Sequence, residues 1–409
     1  MKKNNILFVS IAFPPKNDPE CLQTARFFKY LSREDDFQFD IVTSRIPTLF
    51  MPVDSSLKSL DTGYRSKIEI PIYESKLTNF LFRKMGIDGL MFPDSKMTFH
   101  WQWRRVIRNL KQKPDLIYSR SNPISSAFMA MKISQHFSVP WILHFSDPWA
   151  LSPLENSISE RTLKYERILI EEATKVTFTT TETLHRYANY YPSSANKFEV
   201  VPNVFDPDEV EPSSKPIGDK LKIVYTGGLA GQRSLFFMDD VLKCIQKKDS
   251  TLLQHLEIKV AGPMDRLNAS FFKQSNFTQV SHVGELSYSN AKKLQQSAHI
   301  LLVVDNPTNP KGAVFFPSKL LDYFLTGIKI MAITPKASVS THILEDYPSV
   351  CFDHNDTEAI AGFLMKEIQN LIGQQETYQP GHPPLKFNAH ENAIRLSAIF
   401  RSVLRFPEY

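Results

Sequence analysis

Cysteine is nearly absent from the 409 residues: Cys21, Cys244 and Cys351 stand far apart. That usage excludes a disulfide framework and a cysteine-built zinc site, and it suits a reducing compartment. Glycine is also scarce, at 14 residues, so any loop that cradles a phosphate must do so with few of them. No apolar run approaches the ~20 residues that a membrane-spanning helix needs. The opening Met1-Lys2-Lys3-Asn4-Asn5 is basic, but the apolar stretch behind it, 6–13, runs into Pro14-Pro15 without a small-residue cleavage site. It therefore reads as a buried first strand rather than a secretory signal, and a cytoplasmic protein is expected. What the chain has in quantity is phenylalanine (30) and proline (27), with 42% apolar and 22% charged residues. This is the composition of a soluble, well-cored protein. It excludes wholesale disorder, a fibrous repeat and a polytopic membrane protein, and the length allows two or three domains.

The charge is uneven. Residues 1–200 carry 27 Lys and Arg against 21 Asp and Glu. The excess concentrates in 76–113, where Lys76, Arg83, Lys84, Lys96, Arg104, Arg105, Arg108, Lys111 and Lys113 face only Asp88 and Asp94. Phe80, Phe82, Met85, Leu90, Met91, Phe92, Phe99, Trp101 and Trp103 are interleaved with them. Cations beside aromatic anchors suit peripheral contact with an anionic membrane, each cation near the surface contributing about 1 kcal/mol. Nucleic acid uses the same features, and so does a solvated helix face over a core, but membrane contact is the expected function and nucleic acid is not an expected partner.

Short β-rich runs alternate with helical spacing along the chain. Strands are expected at 6–11, 39–43, 115–118, 141–145, 176–180 and 198–201, with helices at 21–34 and 125–137. The pattern stops in the polar, proline-rich stretch Asp206-Pro207-Asp208-Glu209-Val210-Glu211-Pro212-Ser213-Ser214-Lys215-Pro216 and then resumes. Further strands are expected at 221–225, 256–260, 280–283, 298–304 and 328–333, with a helix at 319–325. The architecture is α/β, with two Rossmann-like domains facing a central cleft. Their boundaries are 1–205, a linker at 206–220, and 221–390, with 391–409 a terminal helix returning to the first domain. In open parallel sheets ligands sit beyond the carboxyl ends of the strands, so strand-end residues carry the search for a site.

Two segments of the second half stand out. Thr226-Gly227-Gly228-Leu229-Ala230-Gly231-Gln232-Arg233 follows a strand and precedes a helical run. Glycines admit backbone N–H groups close to a phosphate, and an arginine behind them pairs with diphosphate oxygens. In Phe316-Pro317-Ser318-Lys319-Leu320-Leu321-Asp322-Tyr323, Pro317 and Ser318 begin a helix that Gly327 ends. Ser318 and Lys319 suit an anion there. Asp322, four positions after Ser318, presents two oxygens to a ribose diol.

With Val201-Pro202-Asn203-Val204-Phe205-Asp206, Tyr225-Thr226-Gly227-Gly228, Val260-Ala261-Gly262-Pro263, Val283-Gly284-Glu285 and the 316–327 segment in this order, the chain resembles GT-B glycosyltransferases of the GT4-like group (glycosyltransferase group 1), bacterial surface-polysaccharide type. Weaker landmarks in the first half are Pro14-Pro15, Tyr118-Ser119-Arg120-Ser121-Asn122-Pro123 and His144-Phe145-Ser146-Asp147-Pro148-Trp149. The resemblance implies a donor, a UDP- or GDP-linked sugar, held by Gly227, Gly228, Arg233, Gly262, Pro263, Gly284, Glu285, Ser318, Lys319 and Asp322. It implies catalytic roles for His144, Asp147, Arg233 and Lys319, retention of anomeric configuration, and no bound metal or other cofactor. Glu20 and Arg120 are candidates for binding a lipid-linked saccharide acceptor.

Two departures from the family pattern matter. The family places acids eight positions apart, where this chain has Val314 and Asp322, so recognition of the donor sugar is not carried over. The lysine expected five positions after the loop arginine is Met238, and Lys319 is expected to supply that cation. A nucleotide-sugar epimerase of the same fold and a catalytically silent partner subunit stand as alternatives.

Overall fold

The apolar runs become the strands of two separate parallel sheets in the computed structural model. The structure describes all residues except 1–2, 47, 49–50, 76–79, 81–83, 85–90, 154–157, 211–217, 308–313, 375–379 and 406–409. Part of the basic stretch (Lys76, Phe82, Arg83, Met85, Asp88 and Leu90) and part of the expected linker lie outside the described residues. The chain divides into a first unit, Met1–Asp206 with Lys386–Tyr409, and a second unit, Pro207–Leu385.

Among the described residues the first unit has seven strands: β1 (Asn4–Val9), β2 (Phe37–Ser44), β3 (Ser66–Ile70), β4 (Leu116–Ser121), β5 (Trp141–Phe145), β6 (Lys175–Phe178) and β7 (Phe198–Val200). They lie in the order β3-β2-β1-β4-β5-β6-β7. Alternate residues feed two cores. Leu7, Val9, Ile117 and Leu143 pack on one face, and Ile6, Phe8, Tyr118 and Ile142 on the other. The helix Pro19–Leu31 starts at Asp18, whose side chain accepts from the Glu20 amide, the capping contact that satisfies an orphan N–H. The terminal helix Ala389–Arg405 buries Ala389, Ala393, Leu396, Phe400 and Val403, spaced three or four apart, in this unit's second core. Its Arg401 bonds Asp36 at 2.7 Å and Glu34 at 2.6 Å.

The second unit has β8 (Leu221–Thr226), β9 (Leu256–Ala261), β10 (Val280–His282), β11 (Ile300–Val304), β12 (Ile330–Ile333) and β13 (Ser349–Phe352), ordered β10-β9-β8-β11-β12-β13. Strand β11, Ile-Leu-Leu-Val-Val, is buried along its whole length, as a central strand covered on both faces must be. The order reverses between β8 and β11 here and between β1 and β4 in the first unit. Those switch points are where such sheets open a crevice for ligands.

Candidate functional site

In the second unit the carboxyl ends of β8, β9 and β10 are laced together by their glycines. The Gly227 amide donates to Ala261 O at 2.8 Å, and the Gly262 amide donates to Gly284 O at 3.0 Å. Gly227 and Gly262 have φ of 126° and 129°, the region that excludes most side chains. A Cβ on Gly262 would stand 2.3 Å from the Gly227 carbonyl oxygen, so the approach of these two turns requires glycine. Gly228 O accepts from the Tyr225 hydroxyl at 2.8 Å. Pro263 O accepts from the Leu229 amide at 3.0 Å.

The helix Lys319–Phe324 packs against this staircase. Its Tyr323 hydroxyl accepts from the Thr226 amide at 2.9 Å and donates to Leu302 O at 3.2 Å, tying the helix to β8 and β11 at the switch point. That fixes Lys319. Its Nζ lies 3.8 Å from the centre of the Tyr225 ring, and a Cβ on Gly227 would stand 3.1 Å from it. The Nζ atom is sealed from solvent and has no hydrogen-bond partner among the described residues, and the same is true of Arg233 Nε.

A buried cation without an acceptor is several kcal/mol unfavourable, whereas the ring face returns about 0.5–2 kcal/mol. The deficit wins. Burial pushes Lys319 well below the usual lysine range, the Arg233 charge lowers it further, and Asp305 opposes both. Asp305 Oδ2 is already engaged, accepting from Thr334 Oγ1 at 2.8 Å and Ser340 Oγ at 2.5 Å.

The other donor-side candidates are placed as follows. The helix after Ser318, Lys319–Phe324, begins where its sequence predicts and ends one residue before the expected 325, and Ser318 makes no side-chain capping bond. Asp322 is half-buried on that helix, and Glu285 is exposed beside Gly284. Val314 is buried. Met238 is fully buried in the apolar core, where a lysine would have no partner.

In the first unit, Arg120, His144 and Thr177 pair across β4, β5 and β6 in register. Both Arg120 and His144 are 0% exposed. Arg120 Nε donates to Glu20 Oε1 at 2.7 Å; its Nη1 and Nη2 reach no acceptor in hydrogen-bond geometry among the described residues, with the buried Tyr118 hydroxyl as a polar neighbour. His144 Nδ1 meets Thr177 Oγ1 at 2.9 Å while Nε2 has no partner among the described residues. Burial first and the Arg120 charge second hold this imidazole well below its usual pKa. Glu20, at 8% exposure, covers the guanidinium, so Arg120 lies beneath the surface rather than on it. Asp147 is half-buried, and its Oδ2 accepts from Asn122 Nδ2 at 3.3 Å.

Glu166 and Lys16 are the residues that sequence reasoning missed. Glu166, wholly buried, accepts from the Ala150 amide at 2.7 Å, Tyr187 Oη at 2.7 Å and Tyr191 Oη at 3.0 Å. It thereby anchors the loop that carries Asp147. Its signal was available: an acid among Leu163, Leu169 and Ile170 at helical spacing on an apolar face. Lys16, in the loop after β1, is buried with Nζ 3.1 Å from Thr43 Oγ1. Burial lowers it to about 8.

The basic stretch is only partly outward-facing. Arg104, Arg105, Arg108, Lys111 and Lys113 are exposed, as are Phe80 and Trp101, each at 60%. Lys96 instead pairs inside with Glu74 at 2.8 Å. Phe99 is buried and Phe92 packs on Tyr165 and Trp149, so these two aromatics serve the core. Among the described residues no helix is long and apolar enough to cross a membrane, and no group of three His, Cys, Asp or Glu is placed to hold a metal ion.

Residues 78–209 match the family model described as Glycosyltransferase Family 4. No curated protein matches the sequence. Among solved structures, the chain is similar to HepE of Anabaena in complex with UDP and glucose, at 12% identity over 98% of this chain and 100% of that one, with a TM-score of 0.62. It is similar to a TarM mutant of S. aureus in complex with Fondaparinux, alpha-GlcNAc-glycerol and UDP, at 9% identity over 99% and 100%, with a TM-score of 0.61. It is also similar to the UDP-GlcNAc 2-epimerase of Methanocaldococcus jannaschii, at 11% identity over 98% and 100%, with a TM-score of 0.55.

Proposed function

From a chain with the GT-B fold whose residues 78–209 match Glycosyltransferase Family 4, we propose a retaining glycosyltransferase that moves a hexosyl or N-acetylhexosaminyl group from a UDP- or GDP-linked sugar. The acceptor is a hydroxyl of a lipid-linked saccharide in the building of capsule, O-antigen or exopolysaccharide. The observation that carries the donor half is Lys319: a sealed amine with no partner among the described residues, near a second cationic nitrogen on Arg233 that likewise has none among them. Two such groups at a sheet switch point, behind a glycine-lined loop, suit a diphosphate.

Breaking the anomeric bond leaves negative charge on the bridging phosphate oxygen. Arg233 and Lys319, held in place before the reaction, stabilise that charge as it forms. Tyr323 fixes the helix that carries Lys319, and the Gly227–Gly262 contact keeps the loop open to phosphate oxygens. The half-buried Asp322 takes the ribose diol. With Val314 at the family's first acid position, no side-chain carboxylate of that motif serves as a covalent nucleophile. The reading therefore has the acceptor enter on the face that the diphosphate leaves.

In the first unit, Glu20 and Asp147 are the acids assigned to the acceptor side. His144 acts beneath them, as a neutral imidazole bound to Thr177. Exposed Trp101 with Arg104, Arg105 and Arg108 gives the unit a peripheral contact with anionic lipid at the inner face of the cell membrane, which is where a lipid-linked acceptor resides.

The test is a thermal-shift screen across nucleotide sugars, followed by transfer assays on lipid-linked acceptors with the product's anomeric configuration read by NMR. Stabilisation by a UDP- or GDP-sugar and transfer with retention support the reading. Release of an epimerised nucleotide sugar without any acceptor would replace it with the epimerase.

A further inference from the structure

Lys319 is enclosed by groups that, among the described residues, leave its nitrogen nothing to donate to. The Tyr225 ring lies on one side and Gly227 on another. The Tyr323 hydroxyl on its own helix is committed to Thr226 and Leu302. The charged groups acting on it are Arg233, which repels a proton there, and Asp305, which attracts one. Asp305 offers little in return, because the hydroxyls of Thr334 and Ser340 already occupy its Oδ2. Asp322, on the same helix, is half-buried.

We infer that the pocket takes up the diphosphate of its donor together with one proton, which lands on Lys319 Nζ. In the empty pocket Nζ is a neutral amine that needs no counter-charge. When the phosphate oxygens arrive they supply the acceptor that Nζ lacks and negative charge beyond that of Asp305. The amine then takes a proton from the solvent and becomes an ammonium paired with them. When the nucleoside diphosphate leaves, the proton returns to solvent. Nothing is oxidised, and the single bond formed and later broken is N–H.

The lowered proton affinity of Lys319 agrees with this. An amine that charges only against its ligand also spares the empty site the repulsion between two adjacent cations. The inference rests on the proposed donor site, and it adds that donor affinity falls as pH rises, because the uptake becomes harder.

Isothermal titration of UDP and of GDP, near pH 8 in buffers of different ionisation enthalpy, reads this directly. A terminal phosphate with its last pKa at about 6 is already ionised under those conditions. The wild type should absorb close to one proton per nucleotide, seen as heat that varies linearly with buffer enthalpy. Lys319→Arg, whose side chain is always charged, should still bind but absorb none. Lys319→Met should bind at least tenfold more weakly and also absorb none. Binding by the wild type without buffer-dependent heat, or with the same uptake in Lys319→Arg, overturns the proton coupling alone. Absence of any UDP or GDP binding overturns the donor-site reading as well.

Discussion

The Lys319 amine stands 3.8 Å from the centre of the Tyr225 ring, and Gly227 lies close enough that a Cβ there would crowd it. The strand residue and the helix residue are 94 positions apart, and the contact exists because Tyr323 binds the helix to β8 and β11. A single tyrosine on each element thus sets where the cation sits.

Lys319→Ala should lower turnover by roughly a hundredfold or more, the scale seen when one preorganised charge-stabilising group is removed. Lys329→Ala is the control. That lysine is partly exposed and pairs with the mostly buried Glu367 at 2.9 Å, a contact with no part in the proposed diphosphate site, so its loss should leave turnover within about twofold. Steady-state kinetics of both variants check this; equal small losses would remove Lys319 from the chemistry.

Gly262→Ala should destabilise the second unit by about 1–3 kcal/mol and abolish nucleotide binding, because the new methyl meets the Gly227 carbonyl at a φ of 129°. Urea unfolding and nucleotide titration measure the two effects separately.

Glu166 gives a pH dependence whose sign is fixed by its environment. Burial pushes its carboxyl from 4.5 up to about 7, partly offset by the hydroxyls of Tyr187 and Tyr191 and the Ala150 amide. The native state therefore holds a proton that the unfolded chain has given up, and stability falls as pH rises from about 4.5 to about 7. The loss from this group is on the order of 3 kcal/mol. Glu166→Gln, neutral throughout, should lack it. Urea unfolding of both proteins at pH 5 and pH 7.5 tests this, and a difference between them that does not change with pH would contradict it.

Reversing the charge of Arg104, Arg105 and Arg108 together should weaken binding to anionic vesicles by about 3 kcal/mol or more, at roughly 1 kcal/mol per cation. Circular dichroism should be unchanged because all three are exposed. Equal binding to neutral and anionic vesicles by the wild type would count against membrane contact.

Much of the fold was legible from sequence. Trp141–Phe145 is a strand with the bounds that its apolar run predicts, and the repeated strand–helix alternation gives the two parallel sheets. Strands β3 and β13 were not legible. Ser66–Ile70 mixes charged and apolar residues at a sheet edge, and Ser349–Phe352 is four residues long, too little pattern to distinguish from a loop.

At the candidate site, local motifs singled out Arg233 and Lys319, but that Lys319 Nζ and Arg233 Nε meet no acceptor among the described residues is a property of packing that no spacing reports. The depth of His144 and Arg120 escaped for a related reason. Both lie on strands whose two faces are covered, by the helix Pro19–Leu31 and the terminal helix among others, and the terminal helix comes from more than 240 residues further along the chain. The role of Glu166 was hidden because its partners Tyr187 and Tyr191 belong to a different helical region.

A crystal structure of the protein with UDP or GDP tests the central claim most directly. The account predicts diphosphate oxygens within hydrogen-bond distance of both Lys319 Nζ and Arg233, above the Gly227 turn. A nucleotide bound in the crystal with its phosphates remote from both side chains would contradict it.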